Sequence, residues 1–308
     1  MNYFGSHRNI KTITDQEAQE FTNQIELVKT DKSPTEKTPA DSTRVKHLKN
    51  SKVLFNQAQN WNYIRNNPFK NITITNISKE DWHFLNFNEF NALLKALNKL
   101  SIRENKKQLD QERILRLRAF YGVMYGCGLR FGEAIHLWWD KNIDFINSQI
   151  HIKNRKSKNG YPGFNLKNHQ DRTLPCPRWV MGLLEELKKV SHKNNPYVLL
   201  SEERLGIIKD KFKEWSSEDK LDKWANDVMV NNTNRDFVVN CRRAGIVSSD
   251  RLSVHCLRKS YGTLLADMNT PVHTLKQLMG HSSIETTLKF YIKNSDENSW
   301  KAVRGWRG

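Results

Sequence analysis

Four separated stretches of the sequence carry residue types that could act together on a phosphodiester. In Gly128-Leu-Arg-Phe-Gly-Glu-Ala-Ile, Arg130 and Glu133 stand three positions apart at the start of a helix, where they share a face and can pair. The surroundings are apolar and include Cys127, so a guanidinium there is costly to bury without a purpose. In Val254-His-Cys-Leu-Arg-Lys-Ser-Tyr-Gly-Thr, His255 and Arg258 have the same spacing. Arginine is the planar donor suited to phosphate oxygens, and histidine can donate a hydrogen bond or shuttle a proton. In Leu278-Met-Gly-His-Ser-Ser-Ile-Glu-Thr-Thr-Leu-Lys-Phe-Tyr, His281 occupies a corner between two helices and Tyr291 ends the segment. The turn Lys153-Asn-Arg-Lys-Ser-Lys-Asn-Gly-Tyr-Pro-Gly supplies mobile ammonium groups. Each stretch alone also suits a bland role: a surface ion pair, a capped helix, a packed tyrosine, a solvated basic turn. Taken in order they form a phosphodiester-transfer set. The arginines would neutralise nonbridging oxygens, the tyrosine would attack, and a lysine would protonate the leaving hydroxyl.

Positioning these groups requires a mostly helical chain with one small antiparallel sheet, an α+β fold. Thr14 followed by Glu17 is a capping-box pattern that opens a helix running towards Ile25. Asp31 to Ala40, with Pro34 and Pro39, reads as a loop, and a second helix runs from about Ser42 to Asn60. Pro68 and the polar residues Asn71 to Asp81 then place a domain boundary at about residue 80. Beyond it, Phe90, Leu93, Leu94, Leu97 and Leu100 form one helical stripe, and Ile114, Leu117, Phe120, Tyr121 and Met124 another. Gly126 and Gly128 end that second helix. Strands are expected at Asp144-Phe-Ile, Gln149-Ile-His-Ile-Lys and Arg172-Thr-Leu-Pro, with the basic turn between the last two. Helices follow from Trp179 onward, and Gly280 and Ser282 or Ser283 read as caps around the His281 corner.

The 308 residues include 50 Lys+Arg against 33 Asp+Glu, a formal net charge of +17. Such a chain is drawn to polyanions by counterion release, and nucleic acid is the usual one in a cytosol. No apolar run reaches the roughly 20 residues of a membrane span, and the first residues lack the apolar region of a secretory signal. Cys127, Cys176, Cys241 and Cys256 stand far apart without a Cys-x-x-Cys pair, so reduced thiols in a cytoplasmic protein are expected, with no metal site.

The stretches around Arg130, His255 and His281, in that order and with the intervening hairpin, make the sequence resemble the tyrosine recombinase (phage integrase) family. The resemblance extends over nearly the whole chain from about residue 10. It implies a short helical core-binding domain at 1–80, lacking its opening helix and any arm-binding domain, then a catalytic domain at 81–295 and a tail at 296–308. It further implies that Arg130 is the first catalytic arginine, oriented by Glu133. Lys156 matches the hairpin lysine, with Lys158 as fallback; His255 and Arg258 match the His-x-x-Arg pair, His281 the later histidine and Tyr291 the nucleophile. Two departures matter: the shortened front of the core-binding domain, and the tyrosine, which most relatives are expected to place nine residues after the His281 equivalent, where this chain has Phe290 and Tyr291 stands at ten.

The implied activity is site-specific cutting and rejoining of double-stranded DNA through a 3′-phosphotyrosine, with no cofactor. Lys46, Lys49, Lys52, Arg155, Lys158 and Lys259 are expected to contact DNA. The working assembly would be a homotetramer on paired sites, monomeric or dimeric when free, with a possible DNA-bending accessory protein. In such an assembly Trp300 and Trp306 of the tail would suit an apolar socket on a neighbouring protomer. The alternatives are a type IB-like topoisomerase and a catalytically impaired, DNA-binding remnant of an integrase.

Overall fold

The structure is a computed structural model that describes residues 3–5, 7–23, 41–74, 83–100, 107–157, 161–166, 170–214, 229–230, 232–248 and 252–292. The chain divides into two compact units, Met1–Asp81 and Trp82–Gly308. The loop expected at Asp31 to Ala40, Lys158, and the tail with Trp300 and Trp306 lie outside the described residues.

In the first unit, α1 (Asp15–Asn23) starts where the Thr14–Glu17 pattern puts it. The Glu17 carboxylate accepts the Thr14 backbone N–H at 2.9 Å, and the Thr14 hydroxyl accepts the Glu17 N–H at 3.2 Å. Helix α2 (Asp41–Asn60) buries Leu48, Phe55 and Ala58 against Ala18, Phe69 and Ile72. This spacing turns Lys46 and Lys49 outward, while Lys52 is half-buried.

The second unit opens with α3 (Phe87–Leu97), capped by reciprocal bonds between Asn86 and Glu89. Phe90, Leu93 and Leu97 are buried, as their stripe requires. Helix α4 (Lys107–Gly126) runs through the core, and Gly126 lets α7 (Arg178–Val190) come close. A Cβ on Gly126 would lie 2.6 Å from Val180 and 2.7 Å from Trp179. Between them come α5 (Phe131–Ile135), α6 (Trp139–Asn142) and the sheet β1 (Ile143–Asp144), β2 (Gln149–Ile152), β3 (Arg172–Pro175). The sheet is antiparallel in the order β1-β2-β3, with Ile150 opposite Leu174 and Ile152 opposite Arg172. Alternation therefore turns Ile150, Ile152, Leu174 and Arg172 to the core side.

The remaining described helices are α8 (Glu202–Glu214), α9 (Thr233–Arg243), α10 (His255–Asp267), α11 (Val272–Met279) and α12 (Ile284–Ile292). Strands β2 and β3 and the helix breaks at Gly128 and Gly280 fall where the sequence pattern places them, whereas β1 shares only Asp144 with the expected Asp144-Phe-Ile, because Phe145 and Ile146 belong to the turn that leads into β2. Among the described residues no helix is long and apolar enough to cross a membrane.

Candidate active site

Helix α4 ends in a turn that only glycine fits: Gly128 has φ +62°, and a Cβ there would meet the Tyr261 ring at 2.2 Å. The chain restarts with Arg130 as the N-cap of α5, extended at φ −69° and ψ 151°. Glu133, in the first turn of α5, folds back on it. Its carboxylate accepts the Arg130 backbone N–H at 2.8 Å and the Arg130 guanidinium Nη1 at 2.8 Å.

Two further arginines reach the same carboxylate. Arg172 of β3 binds it as a fork, Nη1 to Oε1 at 2.9 Å and Nη2 to Oε2 at 2.7 Å. Arg258, in the first turns of α10, lies 4.0 Å from Oε2 and donates to the carbonyls of Gly128 and Met279. Arg130 donates its other terminal nitrogen to the carbonyl of Gly280. The last carbonyls of α11 thus point at two guanidinium groups, where the negative end of a helix dipole is favourable to cations.

Three guanidinium groups converge on one carboxylate, which among the described residues leaves two positive charges unmatched. Burial by itself would raise the Glu133 pKa. The bonds and charge of Arg172, the Arg130 N–H and the charge of Arg258 outweigh it and hold the group at about 2. Burial, with the Arg130 charge next, pushes Arg258 down to about 9. Arg258 therefore stays protonated at neutral pH.

His281 lies beside this cluster. Its Nδ1 is bonded to the Thr287 hydroxyl at 2.9 Å, and its ring stacks on Phe290 at 6.0 Å. Burial and then the charges of Arg258, Arg130 and Arg172 push its pKa down to about 4. His255, although exposed, is also pushed to about 4, by partial desolvation and by the charges of Arg258, Lys259 and Arg130. Both imidazoles are neutral at pH 7. Arg130, Arg172 and His281 line one open cleft of about 820 Å³, with Lys276 and His273 on its wall. This is a site built for an anion.

Arg130, Glu133, His255, Arg258 and His281 are therefore brought together, as their spacing suggested. Arg172 joins them and was not singled out in the sequence. Lys156 is exposed on the β2–β3 turn, where it lines a cleft with Trp138, Lys153 and Tyr161. The Tyr291 hydroxyl donates to the Thr270 carbonyl, and the ring packs against the cluster of Ala266, Leu275, Met279 and Phe290. Burial pushes its phenol up. Phe290, one residue earlier, is the ring turned toward His281. Arg155, expected to contact DNA, is turned inward over the Trp138 ring. Among the described residues no His, Cys, Asp and Glu side chains group as a metal site.

The sequence profile described as the phage integrase family matches residues 83–298, more than half of the chain. The chain belongs to the phage integrase family. It is 27% identical over 282 residues to the "Tyrosine recombinase XerC-like" protein of Caldanaerobacter subterraneus subsp. tengcongensis, covering 85% of this chain and 65% of that protein. It is 24% identical to tyrosine recombinase XerC of Pediococcus pentosaceus over 72% of this chain and 61% of the relative. The chain thus spans a little under two thirds of the length of these relatives. The Tn1549 transposon integrase, solved in complex with a circular intermediate DNA, shares the fold at a TM-score of 0.63 and 18% identity, over 92% of this chain and 82% of that one. These matches are recombinases and an integrase, which counts against the topoisomerase alternative.

Proposed function

We propose that this integrase-family chain is a site-specific DNA recombinase that cuts and rejoins double-stranded DNA through a 3′-phosphotyrosine. The observation that carries the reading is the cluster of Arg130, Arg172 and Arg258 around Glu133, whose two surplus positive charges suit a phosphate in its transition state. In the proposed step the Tyr291 oxygen bonds to phosphorus and the bond from phosphorus to the 5′-oxygen breaks. The phenol proton passes to a neutral imidazole such as His255, and Lys156 gives a proton to the leaving 5′-oxygen. The free 5′-hydroxyl of a partner strand reverses the step, and the covalent link conserves the bond energy. Exchange between two duplexes involves four cuts, so four protomers, each with one tyrosine, fit the chemistry. The unit Met1–Asp81, with Lys46 and Lys49 on the outer face of α2, is read as the core-binding domain.

One observation favours a second reading, a DNA-binding protein that cuts poorly. The Tyr291 hydroxyl is engaged by Thr270, while the ring beside His281 belongs to Phe290, which has no nucleophile. A nicked suicide substrate separates the two. The chain should form a covalent protein–DNA adduct, Tyr291→Phe should form none, and DNA binding should stay within about 3-fold, because only the nucleophile is lost. Tight binding with no adduct would establish the second reading. An adduct that appears in Phe290→Tyr but not in the unchanged chain would move the nucleophile position to 290.

A further inference from the structure

The turn between β2 and β3 is closed by the residue just before Lys156. Arg155 and Phe164 form an isolated antiparallel bridge, Arg155 N–H to Phe164 O at 2.8 Å and Phe164 N–H to Arg155 O at 2.6 Å. The Arg155 side chain does not follow Lys153 and Lys156 into solvent. Its guanidinium carbon lies 4.0 Å above the Trp138 ring and 5.5 Å from that of Tyr197, and its Nη1 donates to the His136 carbonyl at 3.0 Å. Across the bridge the Phe164 ring stacks on His136 at 4.6 Å. Gly163 completes the closure, since a Cβ there would stand 2.9 Å from the Arg155 carbonyl and 3.0 Å from the Ser157 nitrogen.

His136 directly follows α5, the helix that carries Glu133 and is capped by Arg130. Trp138 is held in turn by the Asn142 side chain, which accepts its N–H at 2.7 Å and donates to His151 O at 2.6 Å. The side chain of Arg155 thus ties the base of the lysine turn to the segment that holds the arginine site. A lysine has four rotatable side-chain bonds, and it delivers a proton well only from a fixed base.

We propose that Arg155 is a positioning residue that fixes the point from which Lys156 reaches the leaving oxygen. The proposal rests on the reading of Lys156 as proton donor. Its consequence is specific: loss of the Arg155 clamp slows proton delivery and leaves phosphate binding intact, whereas loss of a phosphate contact weakens affinity and flattens its salt dependence.

The test is single-turnover cleavage of a nicked duplex by the full chain, on a normal scissile phosphate and on a 5′-bridging phosphorothiolate whose sulfur leaves without a proton. Arg155→Met should be at least about 10-fold slower than the unchanged protein on the normal phosphate and within about 3-fold of it on the phosphorothiolate, since general-acid catalysis is worth about 10²–10⁴-fold. Affinity and its salt slope should be unchanged. Equal slowing on both substrates, no slowing, or a weakened and salt-insensitive affinity overturns the proposal. Lys156→Ala is measured beside it. If sulfur fails to rescue Lys156→Ala, the proton-donor reading itself falls, a result distinct from a failure at Arg155 alone. Should Arg155→Met lose cooperative melting, Trp138→Phe, which narrows the aromatic face under the guanidinium, is judged by the same pair of substrates.

Discussion

Glu133 is the side chain on which the arginine cluster depends. It is 3% exposed and is the carboxylate that Arg130, Arg172 and Arg258 share. Glu133→Gln keeps the shape and removes the charge, leaving three guanidinium groups to repel one another in a poorly solvated place. The expected loss is about 3–5 kcal/mol of stability, the range for breaking a buried ion pair from one side. Urea denaturation measures it, and an unchanged midpoint would show that the cluster is not held by this carboxylate. The same cations set a pH dependence. His255 and His281 have folded pKa values of about 4, and burial with the Arg155 charge pushes His136 to about 3, all below the ordinary 6.5. Between about pH 6.5 and 4 the unfolded chain therefore binds more protons than the folded one, so stability falls as pH falls. Below 4.5, Glu133, held at about 2, adds a further loss in the same direction. Denaturation midpoints at pH 7 and pH 5 should differ, with the lower one at pH 5; equal midpoints would contradict the depressed histidines.

At the scale of elements, two helix ends build the site. The Gly128 turn presents its carbonyl to Arg258, and the Gly280 turn, with φ +61°, presents its own to Arg130. Gly128→Ala requires a left-handed backbone from alanine, at about 1 kcal/mol, and drives a methyl into Tyr261. The expected result is a lowered melting temperature together with a cleavage rate that falls further than DNA affinity, because the displaced carbonyl no longer holds Arg258. If rate and affinity fall together, the turn supports the fold without aiming the arginine. Both glycines were legible as helix ends, since the apolar stripes stop there. The partners of their carbonyls were not, because those partners are remote in sequence. Cys127 and Cys176 behave likewise: separated along the chain, their sulfurs lie 3.5 Å apart as buried free thiols.

For the whole molecule, the net charge of +17 would set the proposed DNA interaction before any base is read. Affinity for duplex DNA should fall steeply and linearly on a log–log plot against salt. Removing one true phosphate contact should reduce the slope by about 1. Lys46→Ala and Lys49→Ala, on the exposed face of α2, are expected to do so, and Arg155→Met is not. Binding titrations at several salt concentrations decide the matter. A slope untouched by either lysine would remove α2 from the interface.

The sequence by itself determined what is local: the helix stripes, the capping residues, the second and third strands, and the pairs Arg130–Glu133 and His255–Arg258 that share a helix face. These follow from a periodicity that acts over three or four residues. Arg172 was half visible, since period-two alternation puts it on the same strand face as buried Leu174, where a guanidinium needs an anion. Only the tertiary structure could name that anion, because the chain path brings Glu133 to it across 39 residues, Gly128 to Arg258 across 130 and Gly280 to Arg130 across 150. It also decided that Arg155 points inward, an outcome of the Trp138 and Tyr197 rings waiting below the turn. The choice between Phe290 and Tyr291 is of the same kind. One residue on a helix is a rotation of about 100°, so which ring faces His281 depends on how α12 is seated, and that is settled by packing against α10 and α11.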